Sequence, residues 1–77
     1  MNNTLTMTAE QTVAMDALLM AGAVKYIHTG GGWALRAMVF LPEFDGTFTV
    51  RRGYGSFVAT AARVCEWLAG GVEDLRS

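Results

Sequence analysis

Cysteine occurs once in the 77 residues, at Cys65, and histidine once, at His28. A single thiol excludes an intrachain disulfide and a cysteine-rich zinc site, and a single imidazole excludes a histidine-rich metal centre. Charge is scarce as well. Charged residues make up 17% of the chain, and six Lys and Arg against seven Asp and Glu leave a net charge of −1. That balance argues against a broad cationic surface for nucleic acid and against an acidic mimic of DNA. Long apolar runs are missing: the stretch 37–42 falls far short of the roughly 20 residues that cross a bilayer. The first 15 residues carry no positive charge and no continuous apolar core, so no signal peptide is expected, and the cytoplasm is the expected location.

What is present is a chain with 52% hydrophobic residues, too apolar for disorder. It is more apolar than a small monomer needs, which points to a partner or to self-association. The length predicts a single domain over 1–77, with 1–7 a frayed arm and 72–77 a polar tail. A chain this short buries only about 60% of its unfolded surface on folding.

Thr8 reads as a helix N-cap, and Gln11 stands at the capping-box spacing. Glu10 lies in the first turn, where the helix dipole favours an anion. Val13, Ala14, Ala17, Leu18 and Ala21 share one face, and Gly22 is a C-terminal cap, which predicts a helix over 9–21. Ala23-Val24-Lys25-Tyr26-Ile27-His28-Thr29 then reads as a strand running into the triple Gly30-Gly31-Gly32. The segment 33–41 reads as one strand ended by Pro42. Residues 42–46 form a turn around Asp45-Gly46, and 47–52 alternates as a third strand. Gly53-Tyr54-Gly55 breaks that strand, and Ser56 caps a second helix over 57–69. Its apolar face is Val58, Ala61, Ala62, Cys65 and Leu68, and Gly70-Gly71 ends it. The expectation is an α+β fold of order α-β-β-β-α: a three-stranded antiparallel meander with both helices on one face.

That order resembles the double-stranded RNA-binding domain over almost the whole chain, including a Gly-x-Gly-Ser helix start at Gly53, Tyr54, Gly55 and Ser56. The resemblance implies the fold. It does not carry the phosphate grip, because Phe57 and Val58 stand where that family has lysines. Gly31-Gly32-Trp33, the turn 42–46 and the segment 53–56 resemble elements of HicB-type antitoxins, and the layout is similar to HicA-type toxins, which use one histidine on RNA. Arg52-Gly53-Tyr54-Gly55-Ser56-Phe57-Val58 resembles the RNA-recognition-motif signature, with Ser56 inserted between its two aromatics. The small size and the Pro-acid-Phe-x-Gly turn, Pro42-Glu43-Phe44-Asp45-Gly46, resemble phage anti-CRISPR proteins. That last resemblance implies an inhibitor that occludes a partner complex.

With Val24, Tyr26, Leu35, Val39, Phe48 and Val50 turned to the helices, the other face carries Lys25, Ile27, Arg36, Met38, Phe40, Thr49 and Arg51. An apolar centre rimmed by arginine suits a protein interface. Arg51, Arg52 and the glycines around Tyr54 are also placed to meet an anion, or simply to make a tight turn. His28 is a structural histidine or a general base, and Cys65 a buried inert thiol. Trp67 covers the core edge or anchors a partner. Phe44 is a folded-back plug or an exposed anchor. The expected partner-binding set is Lys25, Arg36, Met38, Phe40, Arg51, Arg52, Tyr54 and Trp67. No catalytic set, metal or other cofactor is expected, and no membrane. The expected partner is a protein, or a nucleoprotein complex with an acidic surface, with a homodimer as a further form. A toxin–antitoxin component or RNA-binding domain is the alternative.

Overall fold

The structure, a computed structural model, describes residues 6–27 and 31–76. Helix α1 (Ala9–Met20) leads into five strands: β1 (Val24–Lys25), β2 (Trp33–Leu35), β3 (Met38–Pro42), β4 (Thr47–Arg52) and β5 (Gly55–Thr60). Helix α2 (Ala61–Leu68) follows. The strands form one antiparallel sheet in the order β1-β2-β3-β4-β5, so the α+β class and the meander hold with five strands instead of three.

Two extra turns account for the difference. The segment 33–41 is not one strand but a hairpin, with Arg36 at φ 50° and Ala37 at φ 65° between paired Leu35 and Met38. Both central residues of a type I′ turn need positive φ, and neither residue is a glycine. Such a conformation costs about 1–2 kcal/mol per L-residue, which is why the turn escapes a reading based on Gly, Asn and Asp. The second turn is Gly53-Tyr54, with Gly53 at φ 61°, closing the pair Arg52–Gly55. Residues 55–60 are therefore strand, and Ser56 is not a helix cap. The helix cap is Thr60, whose hydroxyl accepts from the Arg63 N–H at 3.1 Å.

A two-residue turn sets its flanking residues side by side on the same face. Parity therefore changes between β2 and β3. Trp33 and Leu35 share a face with Met38 and Phe40, and the register continues it through Val50, Phe48, Phe57 and Ala59. Against this face pack Ala14, Met15 and Leu18 of α1 and Ala61, Val64 and Trp67 of α2, in one core cluster. Both helices lie on this side, as expected. Leu35, Phe48 and Val50 face the helices as expected and Thr49 and Arg51 face away, but β1 and β3 are reversed. Met38, Phe40 and Trp67 are core residues, and Val39 belongs to the uncovered face.

The capping box of α1 forms as expected: the Gln11 N–H donates to Thr8 Oγ1 at 3.1 Å, and the Thr8 N–H donates to Gln11 Oε1 at 2.9 Å. Gln11 does more. Its side chain is buried, and Nε2 donates to the carbonyls of Glu43 at 2.8 Å and Thr47 at 2.9 Å. One amide thus ties the start of α1 to the β3–β4 turn. Val13, expected on the buried face, is 60% exposed, and the buried stripe is Gln11, Ala14, Met15 and Leu18. Residues 72–76 are also not a loose polar tail. Leu75 is buried, and the Arg63 guanidinium donates to the carbonyls of Asp74 at 2.9 Å and Leu75 at 3.2 Å.

Two stability changes follow. Ala37→Gly relieves one positive-φ L-residue and should raise stability by about 1 kcal/mol in urea unfolding. A loss of stability would contradict the turn. Gln11→Ala leaves two carbonyls without their donor and opens the capping box. It should cost about 2–4 kcal/mol in the same measurement, whereas a change within about 0.5 kcal/mol would contradict the tie.

Candidate interaction face

The uncovered face of the sheet carries Val24, Ala34, Val39, Leu41, Thr47, Thr49, Arg51, Ser56, Val58 and Thr60 by register. Its middle is apolar, and its charges are Arg51 and, at the other end, the Glu43 carboxylate, which accepts from the Thr49 hydroxyl at 2.7 Å. Gly32, at φ 103°, is pressed against it: a Cβ there would come within 2.8 Å of a Val39 methyl and 3.0 Å of Leu41. Gly32 thereby stands close against Val39 and Leu41 while its carbonyl accepts from the Tyr26 N–H at 2.9 Å. Beside it opens a cleft of about 360 Å³ lined by Tyr26, Ala34, Ala37, Met38, Val39, Arg51 and Gly53. Ala34 and Val39 form an apolar floor. Arg51 stands at the wall, where its guanidinium donates to the Gly31 carbonyl at 3.3 Å. A shallow apolar floor beside a guanidinium suits one side chain of a partner, anionic or aromatic.

The turns Arg36-Ala37 and Gly53-Tyr54 lie at the same end of the sheet, because β2 and β4 both run toward it. Arg36, Arg51, Arg52 and Tyr54 gather there. The opposite end carries the β3–β4 turn with Glu43 and Asp45, and Glu10 in the first turn of α1, which Gln11 ties to that turn. Both helices begin at the acidic end, since Thr60 pairs with Thr47. Glu10 in the first turn of α1 suits the dipole of that helix. The charges of the sheet turns are thus few and lie at two ends, while Arg63, in the first turn of α2, stands at the acidic one.

The expected site residues divide accordingly. Arg51 lies on the uncovered face. Arg52 and Tyr54 are exposed at the cationic end, Tyr54 fully so. Arg36 is exposed in its turn, with its guanidinium 4.8 Å from the centre of the Trp67 ring, a cation–π contact over the core edge. Lys25 is exposed on the helix side at the β1 edge, 5.9 Å from the Trp33 ring. Met38, Phe40 and Trp67 are buried, the last two with ring centres 5.9 Å apart. They hold the fold and cannot meet a partner without its opening. Trp67 therefore covers the core, and Phe44 is exposed at its hairpin tip. Tyr54 at a turn and half-buried Phe57, beneath the Arg76 guanidinium at 5.8 Å, form no joint stacking surface. Cys65 is half-buried and borders a groove between the helices with Ala9, Val13 and Ala62, so it is less enclosed than expected. His28 lies outside the described residues. Tyr26, Val39 and Val58 were missed as surface, and counting face parity through the two-residue turn would have found Val39.

Among the described residues, no group of three or more His, Cys, Asp or Glu is placed to hold a metal ion, and no helix is long and apolar enough to cross a membrane. No protein-family model matches the chain, and comparisons with curated proteins and with solved structures find no match. The family resemblances therefore rest on layout and short motifs alone.

The Asp45 carboxyl is more acidic than an ordinary one. The carboxylate accepts from the Thr47 hydroxyl at 2.6 Å and the Thr47 N–H at 3.0 Å, which holds its pKa below the ordinary 3.8. A depressed folded pKa means the turn is favoured above the unfolded pKa, and that preference is lost as pH falls through the folded one. The Thr47 amide resonance should therefore titrate with a midpoint below 3.8, and Asp45→Asn should abolish the titration. A midpoint above 3.8 would contradict the hydrogen bonds.

Proposed function

We propose that this chain is a non-catalytic protein-binding module whose uncovered sheet face docks on an acidic protein surface. The observation that carries this reading is the cleft floored by Ala34 and Val39 and walled by Arg51, at the end of the sheet where Arg36, Arg52 and Tyr54 also lie. An apolar centre depleted of charge, with arginine and tyrosine at its border, is the composition of a protein interface. The module acts by occlusion: a rigid sheet face covers a partner's working surface, the mode that the resemblance to phage anti-CRISPR proteins implies. Self-association belongs to the same reading. The setting is an intracellular one, and the reading needs no cofactor.

The test is capture of partners by the tagged chain at low and high salt, with Ala34→Glu beside the wild type. Glu at position 34 places a carboxylate in the cleft next to Arg51, on the uncovered side, so the core is untouched. The expected result is a stoichiometric acidic protein held by the wild type and lost from a folded Ala34→Glu chain. Equal capture by the variant would contradict the proposed face. Recovery of RNA alone, released at high salt, would replace this reading with nucleic-acid binding.

A further inference from the structure

The sheet has two unequal edges. β1 is two residues long, whereas β5 at the other side runs for six, Gly55–Thr60. Soluble proteins blunt long edges with charge, proline or a covering segment. The β5 sequence Gly-Ser-Phe-Val-Ala-Thr itself contains neither a charge nor a proline, and the charges beside it are those of Asp74 and Arg76, which line a cleft with Gly55, Ser56 and Phe57 at its start. The pair Arg52–Gly55 closes the two-residue turn, so Gly55, Phe57 and Ala59 exchange backbone hydrogen bonds with β4. The N–H and C=O groups of Ser56 and Val58 then point away from the sheet. Among the described residues, no backbone hydrogen bond from outside β4 reaches residues 56–59. The side chains agree: Ser56 and Thr60 are exposed, and Val58 is 67% exposed.

We propose that a second copy of this chain fills this edge, β5 against β5, antiparallel about a two-fold axis at Val58. In that register Val58 faces Val58 of the second copy, and Ser56 faces Thr60. The contacts are neutral and self-complementary, as a two-fold interface requires. An antiparallel pair lets the outward backbone groups of Ser56, Val58 and Thr60 meet those of the other copy about a single two-fold axis. The shortness of β1 selects closure: the long edge is used on both copies, and assembly stops at two instead of growing into a fibre. The axis stands perpendicular to the sheet. Both helix layers then share one side, and the two uncovered faces join into a single surface of ten strands. This assembly stands independently of which partner that surface meets.

Sedimentation equilibrium of the full chain tests it. At about 100 μM protein the fitted mass should approach twice the 8.3 kDa of one chain and fall on dilution. Val58→Lys sets two ammonium groups face to face at the axis while leaving the core alone. It should weaken the dimer by about tenfold or more with an unchanged far-ultraviolet dichroism spectrum. Val13→Lys, on the exposed flank of α1, should leave the dimer intact. A wild-type monomer at that concentration overturns the proposal. So does a Val58→Lys chain as dimeric as the wild type, or a dimer broken by Val13→Lys instead.

Discussion

Successive residues of a strand point to opposite faces, so the length of each turn determines which residues become core and which become surface. In this chain the Arg36-Ala37 turn makes that choice. Because it holds two residues, Leu35 and Met38 stand side by side, and the even-numbered residues of β3 join the odd-numbered residues of β2. Phe40 then meets Val50 and the Trp67 ring, and Val39 meets Arg51 on the far side. One residue more or less in the turn would exchange the two sets. The turn also supplies Arg36, which stacks on Trp67 and closes the core at that end. Two left-handed L-residues are held in place by the packing that they themselves direct, an arrangement in which local strain is tolerated because the surroundings overdetermine it.

The other end is secured by different chemistry. Gln11 is the one buried polar side chain of the described core, and its oxygen and both of its N–H donors find partners at once. Its oxygen caps α1 and its two N–H groups hold the β3–β4 turn. A buried amide with every partner in place fixes one arrangement, since any shift leaves a donor or a carbonyl unpaired. Glu10, Glu43 and Asp45 lie at this end, and Arg36, Arg51 and Arg52 collect at the far end. The sheet thereby has an acidic end and a basic end, with a nearly uncharged middle between them.

Much of this was legible in the residues themselves. Thr8 and Gln11 announced the first helix and its cap, Gly22 and Gly70 its end and that of the second, and Asp45-Gly46 the central turn. Both ends show glycine at positive φ, with the following N–H returning to the helix: Ala23 to Leu18 at 2.9 Å, Gly71 to Glu66 at 2.8 Å. The extra strands were not legible, for two physical reasons. Arg36-Ala37 carries none of the residues that favour positive φ, so its turn is imposed by tertiary packing. Gly53-Tyr54-Gly55-Ser56 has the composition of a helix start, yet β4 templates residues 55–60 as its neighbour strand, and the helix begins only where Thr60 caps it. The candidate site suffered accordingly. Arg51, Arg52 and Tyr54 were placed by their own strand and stay at the surface, whereas Met38 and Phe40 were carried to the wrong side by the uncounted turn. Trp67 followed the start of its helix into the core.

The assignment of faces is the claim on which the interaction surface, the cleft and the edge pairing all depend. A nuclear Overhauser spectrum of the unmodified chain tests it most directly, through the protons of the Trp67 indole. The account predicts contacts to the Phe40 ring and the Arg36 side chain, and none to the methyl groups of Val39 or Leu41. Contacts from Trp67 to Val39 and Leu41 would reverse the sheet and contradict the account.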